Sequence, residues 1–520
     1  MAKQQSYLKN ATVLMASDLV LRLAGMAFRI YLANELGDEG MGLYQLIIAF
    51  YAVFITLATA GVSVAATRLV TEEFHTSLAS TKGMMQRLLW VATGFGVGAA
   101  ALQIITAQLA ATYWIGDARA ASAIQIAALS LPAMAIAAVL RGFFLARRQV
   151  QPNVYSQLAE QTVRIGLVLL LLLKTEGASL ELRCVIVFVG TTVSETISCL
   201  AMAWFYRKEQ QATYGNLAAK APRNAKARIW EIIWPVAGGR VLASGLHTAE
   251  NMLVPACLAL YLVSAGGRTE ALAQYGVLKG MAIPLLVFPM GVLGSLATLL
   301  MPEITEAHVK GNQQQLARLL HKMFLLTMYA SVLAGVAFFV FAARLGELLY
   351  QSEQTGFYLK WLAPMAPFMY LENMVTGALK GLGEQKATFR YSAEDSITRI
   401  LLVVLLLPRF GMMSFLLVMF ASNAYTCIMN TRRLLQITNI KLQFSAWVLT
   451  PCLAALIAAV ASHLAVSGVY LVWGGLPAFG VWALILQLSV GGTVMGLVYL
   501  VLIWPLGLRG ALQGGLRTSQ

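Results

Sequence analysis

Charged side chains occur in this sequence where it is otherwise apolar enough to cross a bilayer. The first such run, from about residue 11 to residue 33, contains Asp18, Arg22 and Arg29. At about 100° per residue, these three side chains lie within about 40° of one another on a helix. A charge near the middle of a bilayer costs at least ~2.5 kcal/mol, so it normally faces a bundle interior or water. The first helix therefore predicts a wet, positively charged interior.

A second polar stripe occurs on the seventh apolar segment. One face of its predicted helix carries Arg240, Ser244, His247 and Asn251. Glu250 lies beside this face. These residues, together with Asp18, predict the polar lining of a cavity inside the membrane.

Four cations come from the helices that open the two halves of the chain: Arg22, Arg29, Arg240 and Lys279. Fewer acids oppose them, which predicts an anion-binding site between the halves. Arginine suits phosphate, because its planar guanidinium donates two parallel hydrogen bonds. The eighth segment, which carries Lys279, also contains many glycines and prolines and predicts a bent or partly unwound helix.

Structural roles remain open for several of these charges. Asp18 and Arg22 are spaced to form an ion pair, Arg29 and Lys279 could reach the membrane interface, and His247 could be a hydrogen-bonded core residue. Two further pairs have the same spacing of four residues, Glu160 with Arg164 and Asp395 with Arg399. For these two pairs a structural role is favoured, because pairing is the less costly way to bury charge.

Composition places the chain among polytopic membrane proteins. Of its 520 residues 59% are hydrophobic and 12% charged, and the mean hydropathy is +0.71, whereas a soluble protein carries about 25% charge. The formal net charge of +15 reflects basic residues in short loops and does not indicate nucleic-acid binding. The five cysteines are scattered without a CxxC pair, and ATPase and hydrolase motifs are absent, so we expect a transporter with no metal and no catalytic residues.

A window of about 20 residues predicts about fourteen spans. They cover residues 10–33, 42–69, 86–111, 121–146, 152–173, 183–206, 229–262, 273–301, 322–343, 358–380, 389–407, 411–431, 446–469 and 480–505. Lysine and arginine concentrate at both termini and in every second loop. This alternation predicts a multi-pass protein with both termini in the cytoplasm.

The two halves of the chain repeat at a near-constant offset. Leu140-Arg141-Gly142 matches Leu379-Lys380-Gly381, and Thr71-Glu72 matches Thr305-Glu306. Matches that keep the same order and orientation predict two six-helix lobes in a parallel pseudo-two-fold repeat, the architecture of alternating-access transporters. The predicted parts are a lobe over 1–206, a basic linker over 207–228, a second lobe over 229–436, and two helices with a tail over 437–520.

Three stretches resemble a known family. Residues 36–46, which include GLYQL, are similar to the start of polysaccharide flippases of the multidrug/oligosaccharidyl-lipid/polysaccharide exporter superfamily. Residues 275–304 and 379–385 resemble its stage V sporulation protein B branch, which is related to peptidoglycan lipid flippases. The resemblance implies a flippase that carries undecaprenyl-diphosphate-linked sugars across the bacterial cytoplasmic membrane, with membrane lipids and cell-wall synthesis enzymes as partners.

The resemblance also suggests roles for particular residues. Arg22, Arg29, Arg240 and Lys279 would hold the diphosphate. Acids of the second lobe, with Glu250, Glu372 and Asp395 as candidates, would couple transport to Na⁺, H⁺ or the membrane potential without any other cofactor. Two alternatives remain: a cation-coupled multidrug exporter of the same superfamily, whose cavity would be more acidic, and a non-transporting cell-wall assembly protein, which needs no buried cations.

Overall fold

The computed structural model is helical throughout the parts of the chain that it describes. These are residues 2–59, 61–74, 76–175, 177–215, 217–220, 222, 224–263, 266–440, 443–472 and 480–504, without the side chains of 2–18, 292, 295–299, 470–472 and 480. The helices are α1 Ala2–Thr59, α2 Val62–Phe74, α3 Leu78–Leu109, α4 Ala120–Ala128, α5 Leu131–Ala146, α6 Gln151–Lys174, α7 Leu180–Tyr214, α8 Ala225–Tyr261, α9 Gly267–Gly276, α10 Ile283–Val309, α11 Gln313–Tyr350, α12 Glu353–Leu362, α13 Ala366–Gly381, α14 Gln385–Thr438, α15 Thr450–Val472 and α16 Gly480–Ile503.

Nine helices of the described chain are long and apolar enough to cross a membrane, or ten if the bent pair α4–α5 forms one span. The sequence predicted about fourteen spans, and the difference lies in how the helices are joined. α1 and α14 each combine two predicted spans, while α8 and the α12–α13 pair cover predicted spans as helix but do not belong to the nine. The predicted all-α polytopic class is confirmed.

Two glycines divide the longest helices. Gly37 in α1 has φ 69° and ψ −178°, and Gly411 in α14 has φ 65° and ψ −158°. Both conformations are costly for a residue with a Cβ atom. A kink that joins two helices without a loop therefore depends on glycine at these positions.

We expect Gly411→Ala to lower the free energy of unfolding by about 2 kcal/mol or more. A left-handed backbone disfavours alanine, and its Cβ would lie 2.6 Å from the ring of Tyr261. Thermal unfolding in detergent would measure the loss. Gly166→Ala in α6 is the control, because no atom lies within 4 Å of the added Cβ and alanine favours a helix. Equal melting of both variants would contradict the prediction.

Ion pairs hold the bend at Gly37. Arg119 lies 2.5 Å from Glu39 and 2.6 Å from Asp117. These two carboxylates raise the pKa of Arg119 above its usual range by hydrogen bonding. Arg183 donates a hydrogen bond of 2.6 Å to the carbonyl oxygen of Glu35, just before the bend. Arg183 of α7 thus stabilises a carbonyl just before the kink, and Arg119, which precedes α4, holds the side chain of Glu39 just after it.

The chain forms two compact units, one ending at Ala256 and the other beginning at Cys257. The division therefore falls inside α8, whereas the sequence placed the second lobe from residue 229 onward. The start of α8 belongs to the first unit through Arg228, which pairs with Glu73 and, at 2.8 Å, with Glu72. These partners raise the pKa of Arg228 above its usual range.

The predicted basic linker also contacts the first unit. Lys82 donates to the carbonyl of Leu217 at 2.8 Å, and the amide of Lys220 donates to the carbonyl of Ala79 at 3.0 Å. The described part of this segment is therefore bound along the start of α3.

Both units contain the same close approach between helices. In the first unit, a Cβ on Gly96 of α3 would lie 2.7 Å from the Cα of Pro132 in α5. In the second, a Cβ on Gly335 of α11 would lie 2.9 Å from the carbonyl of Ala363, just before α13. Each glycine lets one helix pack against the backbone at a proline-containing break.

A similar hydrogen bond joins two helices in each unit. Thr67 donates to the carbonyl of Gly142 at 3.3 Å, and Thr305 donates to the carbonyl of Gly381, also at 3.3 Å. In both units, a threonine hydroxyl thus binds a backbone carbonyl in the last turns of the neighbouring helix.

The last two helices pack on α11 in the second unit. Tyr499 of α16 donates to the carbonyl of Tyr329 at 2.9 Å, and Ser462 of α15 donates to the carbonyl of Gly491 at 2.8 Å. Just before α15, Trp447 stacks on Phe324 with ring centroids 4.4 Å apart. Large buried aromatic residues thus join this pair to the second unit.

Candidate functional site

In the first unit, α8 packs along the second part of α1. Thr248 donates to the carbonyl of Ala49 at 2.8 Å, and Thr56 donates to Ser244 at 3.3 Å. Further along, the position of a Cβ on Gly61 is 2.9 Å from the backbone of Ile233. Hydroxyls and glycine allow this close packing of two apolar helices.

Arg240 lies on the same face of α8 as Ile233 and Ser244, between these two residues along the helix axis. Its side chain is exposed. Within the described chain it forms no hydrogen bond or ion pair, whereas an arginine buried in a protein is usually paired with an acid. The structure thus leaves an accessible guanidinium in the middle of a long helix.

The cations of α1 differ in exposure. Arg22 is exposed and has an interaction partner. Arg29 is half-buried and interacts electrostatically with the half-buried Tyr44 on the same helix. The side chain of Asp18 lies outside the described residues, so the predicted Asp18–Arg22 pair stays a prediction.

The other predicted cavity residues of α8 have distinct environments. The side chain of His247 is exposed, and its Nδ1 lies 2.8 Å from the amide nitrogen of Asn251. Asn251 is buried, and its carbonyl oxygen has no hydrogen-bond partner among the described residues. Glu250 is buried and partnered, and Ser244 is half-buried against Thr56. Of this group, His247 offers the most accessible polar side chain.

A network of charges occupies the interior of the first unit between α5, α6 and α7. Arg164 contacts Glu160 at 2.7 Å and Glu195 at 3.3 Å, and Arg141 contacts Glu160 at 3.1 Å. Ser198 accepts a hydrogen bond of 3.1 Å from Arg141. Sequence analysis identified the Glu160–Arg164 pair but missed Glu195 and Arg141, although Arg141 lies in the repeated Leu-Arg-Gly motif. Two cations and two acids balance one another here.

In the second unit, Lys279 lies on an interruption of the predicted eighth span. Residues Val277–Ala282 form a π-helical turn between α9 and α10, which confirms the predicted irregular helix. Lys279 is half-buried, and its Nζ lies 5.9 Å from the centroid of the Phe415 ring. A π-helical turn often re-aims side chains at functional sites.

Acidic residues of the second unit lie close together. Asp395 is buried, accepts a hydrogen bond of 2.6 Å from Ser422 and contacts Arg399 at 3.3 Å. Glu372 is close to the Thr426 hydroxyl and interacts electrostatically with Asp395. A cavity of about 200 Å³ is lined by Asp395, Arg399, Ser422 and Tyr425, among others. The structure therefore brings together Glu372 and Asp395, two of the three predicted coupling acids.

A larger cavity in the second unit is almost entirely apolar. It has a volume of about 830 Å³ and lies between α11, α13, α14 and the start of α15. Its wall includes Phe368, Leu371, Ile428 and Val448, with Arg432 among the few polar side chains. Such a space fits a hydrocarbon chain with an adjoining polar group.

No set of three or more His, Cys, Asp or Glu side chains within the described residues could hold a metal ion. Four of the five cysteines, those at positions 184, 199, 257 and 427, are buried, and Cys452 is exposed.

The helical spans and the internal repeat form the fold of solved membrane transporters of the multidrug/oligosaccharidyl-lipid/polysaccharide superfamily. A solved structure described as lipid II flippase MurJ in an inward closed conformation superposes with TM-score 0.71, covering 95% of this chain and 99% of that one at 12% identity. An inward-facing multidrug resistance MATE family transporter gives TM-score 0.65 over 82% of this chain and all of that one, at 13% identity.

Two protein families match separate parts of the sequence, and two named proteins are similar to most of it. Residues 7–231 match the polysaccharide biosynthesis protein family, and residues 251–405 match the MatE family. Stage V sporulation protein B of Bacillus subtilis (strain 168) is 26% identical over 79% of each chain. Lipid II flippase MurJ of the same organism is 21% identical over 73% of each. The chain therefore contains a polysaccharide biosynthesis protein domain followed by a MatE domain, and it is homologous to both relatives.

Proposed function

We propose that the protein flips an undecaprenyl-diphosphate-linked oligosaccharide, a precursor of cell wall, spore cortex or surface polysaccharide, from the inner to the outer leaflet. Homology with stage V sporulation protein B and with the lipid II flippase supports this substrate class. The two units would expose the bound lipid to each leaflet in turn, with no catalytic step. Both termini would lie in the cytoplasm.

The observation that carries the proposal is the difference between two groups of arginines in the first unit. Carboxylates hold Arg141 and Arg164. Arg29 and Arg240 have no hydrogen bond or ion pair within the described chain. A charge on a membrane-spanning helix that has no partner in the protein needs water or a ligand of opposite charge. A diphosphate supplies that charge, and guanidinium groups bind it by paired hydrogen bonds.

The polyprenyl tail would occupy apolar space while the diphosphate binds the cations. The cavity of about 830 Å³ in the second unit offers such space. Phe444, Val448 and Cys452, at the start of the thirteenth predicted span, line it. The first of the last two predicted spans would therefore help to hold the tail.

The energy source belongs to the proposal as well. Glu250, Glu372 and Asp395 would bind H⁺ or Na⁺ or respond to the membrane potential. Glu250 and Asp395 are buried and Glu372 is half-buried, which supports this role, because a buried carboxylate gains or loses a cation at a large free-energy difference. Lys279 would contribute a positive charge within the second unit.

Binding of the lipid tests the proposal most directly. Purified protein would be mixed with an undecaprenyl-diphosphate-linked sugar or with undecaprenol and examined by native mass spectrometry. We expect the diphosphate to bind at least tenfold more tightly, and Arg29→Gln/Arg240→Gln to lose this preference. Each lost charge-assisted contact costs about 1.5–3 kcal/mol, or more than tenfold in affinity.

Arg390→Gln serves as the control, because Arg390 is an exposed arginine paired to Glu394 on its own helix. It should bind the diphosphate lipid as the wild type does. Equal binding of undecaprenol and the diphosphate lipid by the wild type would contradict the flippase proposal. A preference for cationic drugs in the same assay would support the multidrug exporter instead.

A further inference from the structure

A second polar cavity lies in the first unit, at the end where α5 turns into α6. Its volume is about 420 Å³, and the last turns of α7 form its other wall. Its lining includes Arg148, Gln149, Tyr155, Phe205, Lys208 and Glu209. The loop between α5 and α6 and the basic linker that begins at the end of α7 are both predicted on the cytoplasmic side. The cavity therefore lies at the level where a membrane meets the cytoplasm.

Arg148 has an unusual backbone conformation in this turn. Its φ is 57°, in the left-handed region that disfavours a side chain. The turn has the hydrogen bonds of a Schellman motif: the amide of Gln149 donates to Phe144 at 2.9 Å, and that of Arg148 donates to Leu145 at 3.0 Å. Glycine is the usual residue at this position.

The internal repeat provides a direct comparison. At the end of α13, Gly383 has φ 85°. The amide of Glu384 donates to Leu379 at 2.9 Å and that of Gly383 to Lys380 at 3.2 Å, as in the first unit. The second unit thus builds the same turn with the expected glycine, and the first unit has an arginine in its place. Backbone geometry alone does not explain this arginine.

The two turns also differ in what lies beside them. In the second unit, Glu384 forms a bidentate ion pair with Arg433, with nitrogen–oxygen distances of 2.8–3.0 Å. In the first unit the corresponding residue is Gln149, which lines the open cavity. The Glu384–Arg433 salt bridge therefore occupies the turn of the second unit. The turn of the first unit has an open cavity and the positive charge of Arg148.

The charges around the cavity are positive in sum. Glu209 contacts Arg147 at 2.5 Å and accepts a hydrogen bond of 3.0 Å from Thr213, so its charge is neutralised. Arg148 and Lys208 are both exposed. These two cations lie on opposite walls of the cavity, and an anion between them would interact with both.

Aromatic side chains border the cavity on the membrane side of these cations. Tyr155 is 57% exposed and stacks on Phe205 with ring centroids 6.3 Å apart. Trp204 is 59% exposed, and the Nζ of Lys208 lies 5.7 Å from its ring centroid. Exposed tyrosine and tryptophan beside basic residues are typical of the headgroup level of a bilayer.

We propose that this cavity binds the phosphate of an anionic phospholipid headgroup. Arg148 and Lys208 hold the phosphate, while Tyr155 and Trp204 contact the upper part of the acyl chains. A free phosphate ion has the same binding group but no chains to contact the aromatic residues. The inference concerns a lipid that stays bound to the first unit, and it is independent of the transported substrate.

Native mass spectrometry of the full chain in detergent tests this site with three ligands: phosphatidylglycerol, phosphatidylcholine and inorganic phosphate. We expect phosphatidylglycerol to bind most tightly. Arg148→Gly and Lys208→Gln should each weaken it about fivefold, the effect of one basic residue near an anionic headgroup. Arg148→Gly should also raise the melting temperature without lipid, because glycine removes the unfavourable left-handed arginine. Weaker binding by a more stable protein excludes misfolding as its cause.

Lys386→Gln is the matched control, because Lys386 is exposed and follows the equivalent turn of the second unit. It should bind phosphatidylglycerol as the wild type does. Unchanged binding by Arg148→Gly, or an equal loss in the control, would overturn the proposal. Tight binding of inorganic phosphate that displaces phosphatidylglycerol would instead assign the cavity to a soluble phosphate compound.

Discussion

The Arg164→Ala variant is expected to lose about 3–5 kcal/mol of unfolding free energy, because it leaves the buried carboxylate of Glu195 without its cation. Arg164 contacts Glu160 and Glu195, whose side chains are 15% and 9% exposed. Arg141 forms its ion pair with Glu160. When Arg164 is removed, Glu160 therefore keeps one cation and Glu195 loses its own.

Buried cysteines allow this loss to be measured. Four cysteines are buried in the folded chain, so a thiol-reactive dye reports unfolding in detergent as temperature rises. Arg390→Ala is the control, because its pair with Glu394 is exposed and worth at most ~1 kcal/mol. A triple variant, Glu160→Leu/Arg164→Met/Glu195→Leu, should recover much of the stability, since the charges are then removed together. Melting of Arg164→Ala at the temperature of Arg390→Ala would contradict a structural role for the network.

In this network, the sequence predicts the ion pair within one helix but not the ion pairs between helices. Glu160 and Arg164 lie four residues apart on α6, and the helical period makes their pairing visible in the sequence. Glu195 and Arg141 come from α7 and α5, and only the packing of three helices brings them to the same place. Pairing across helices depends on rotation and register, which no local pattern contains.

The fold itself follows closely from local patterns. Long apolar runs predict the spans, and the glycines and prolines around Lys279 predict the irregular turn found at Val277–Ala282. The joining of spans was harder to predict. Gly37 and Gly411 connect helices without a loop, and a glycine in an apolar sequence gives no sign of its φ angle. The contact-based end of the first unit at Ala256 likewise depends on α8 packing against α1.

The candidate site depends on contacts in the same way. The spacing of polar residues on α8 predicted that Arg240, Ser244 and Asn251 lie on one face of the helix. The structure separates their roles, because Ser244 bonds to Thr56 in helix packing while Arg240 is exposed. A helical wheel predicts which residues share a face, but it does not predict which of them the neighbouring helix covers. Accessibility therefore identifies Arg240 as the residue of this stripe on which to test function.

Transport by Arg240→Glu is expected to fall at least a hundredfold, if Arg240 binds the diphosphate. The substitution replaces attraction by repulsion of like charges, which costs several kcal/mol, and about 2.7 kcal/mol already equals a hundredfold change. Flipping of a fluorescent undecaprenyl-diphosphate-linked sugar in proteoliposomes would measure it. Arg240→Lys should retain partial activity, since it keeps the charge but loses the paired hydrogen bonds. Lys226→Glu, on the exposed first turn of the same helix, is the control and should transport normally. If Arg240→Glu transports as fast as Lys226→Glu, the diphosphate does not bind at Arg240.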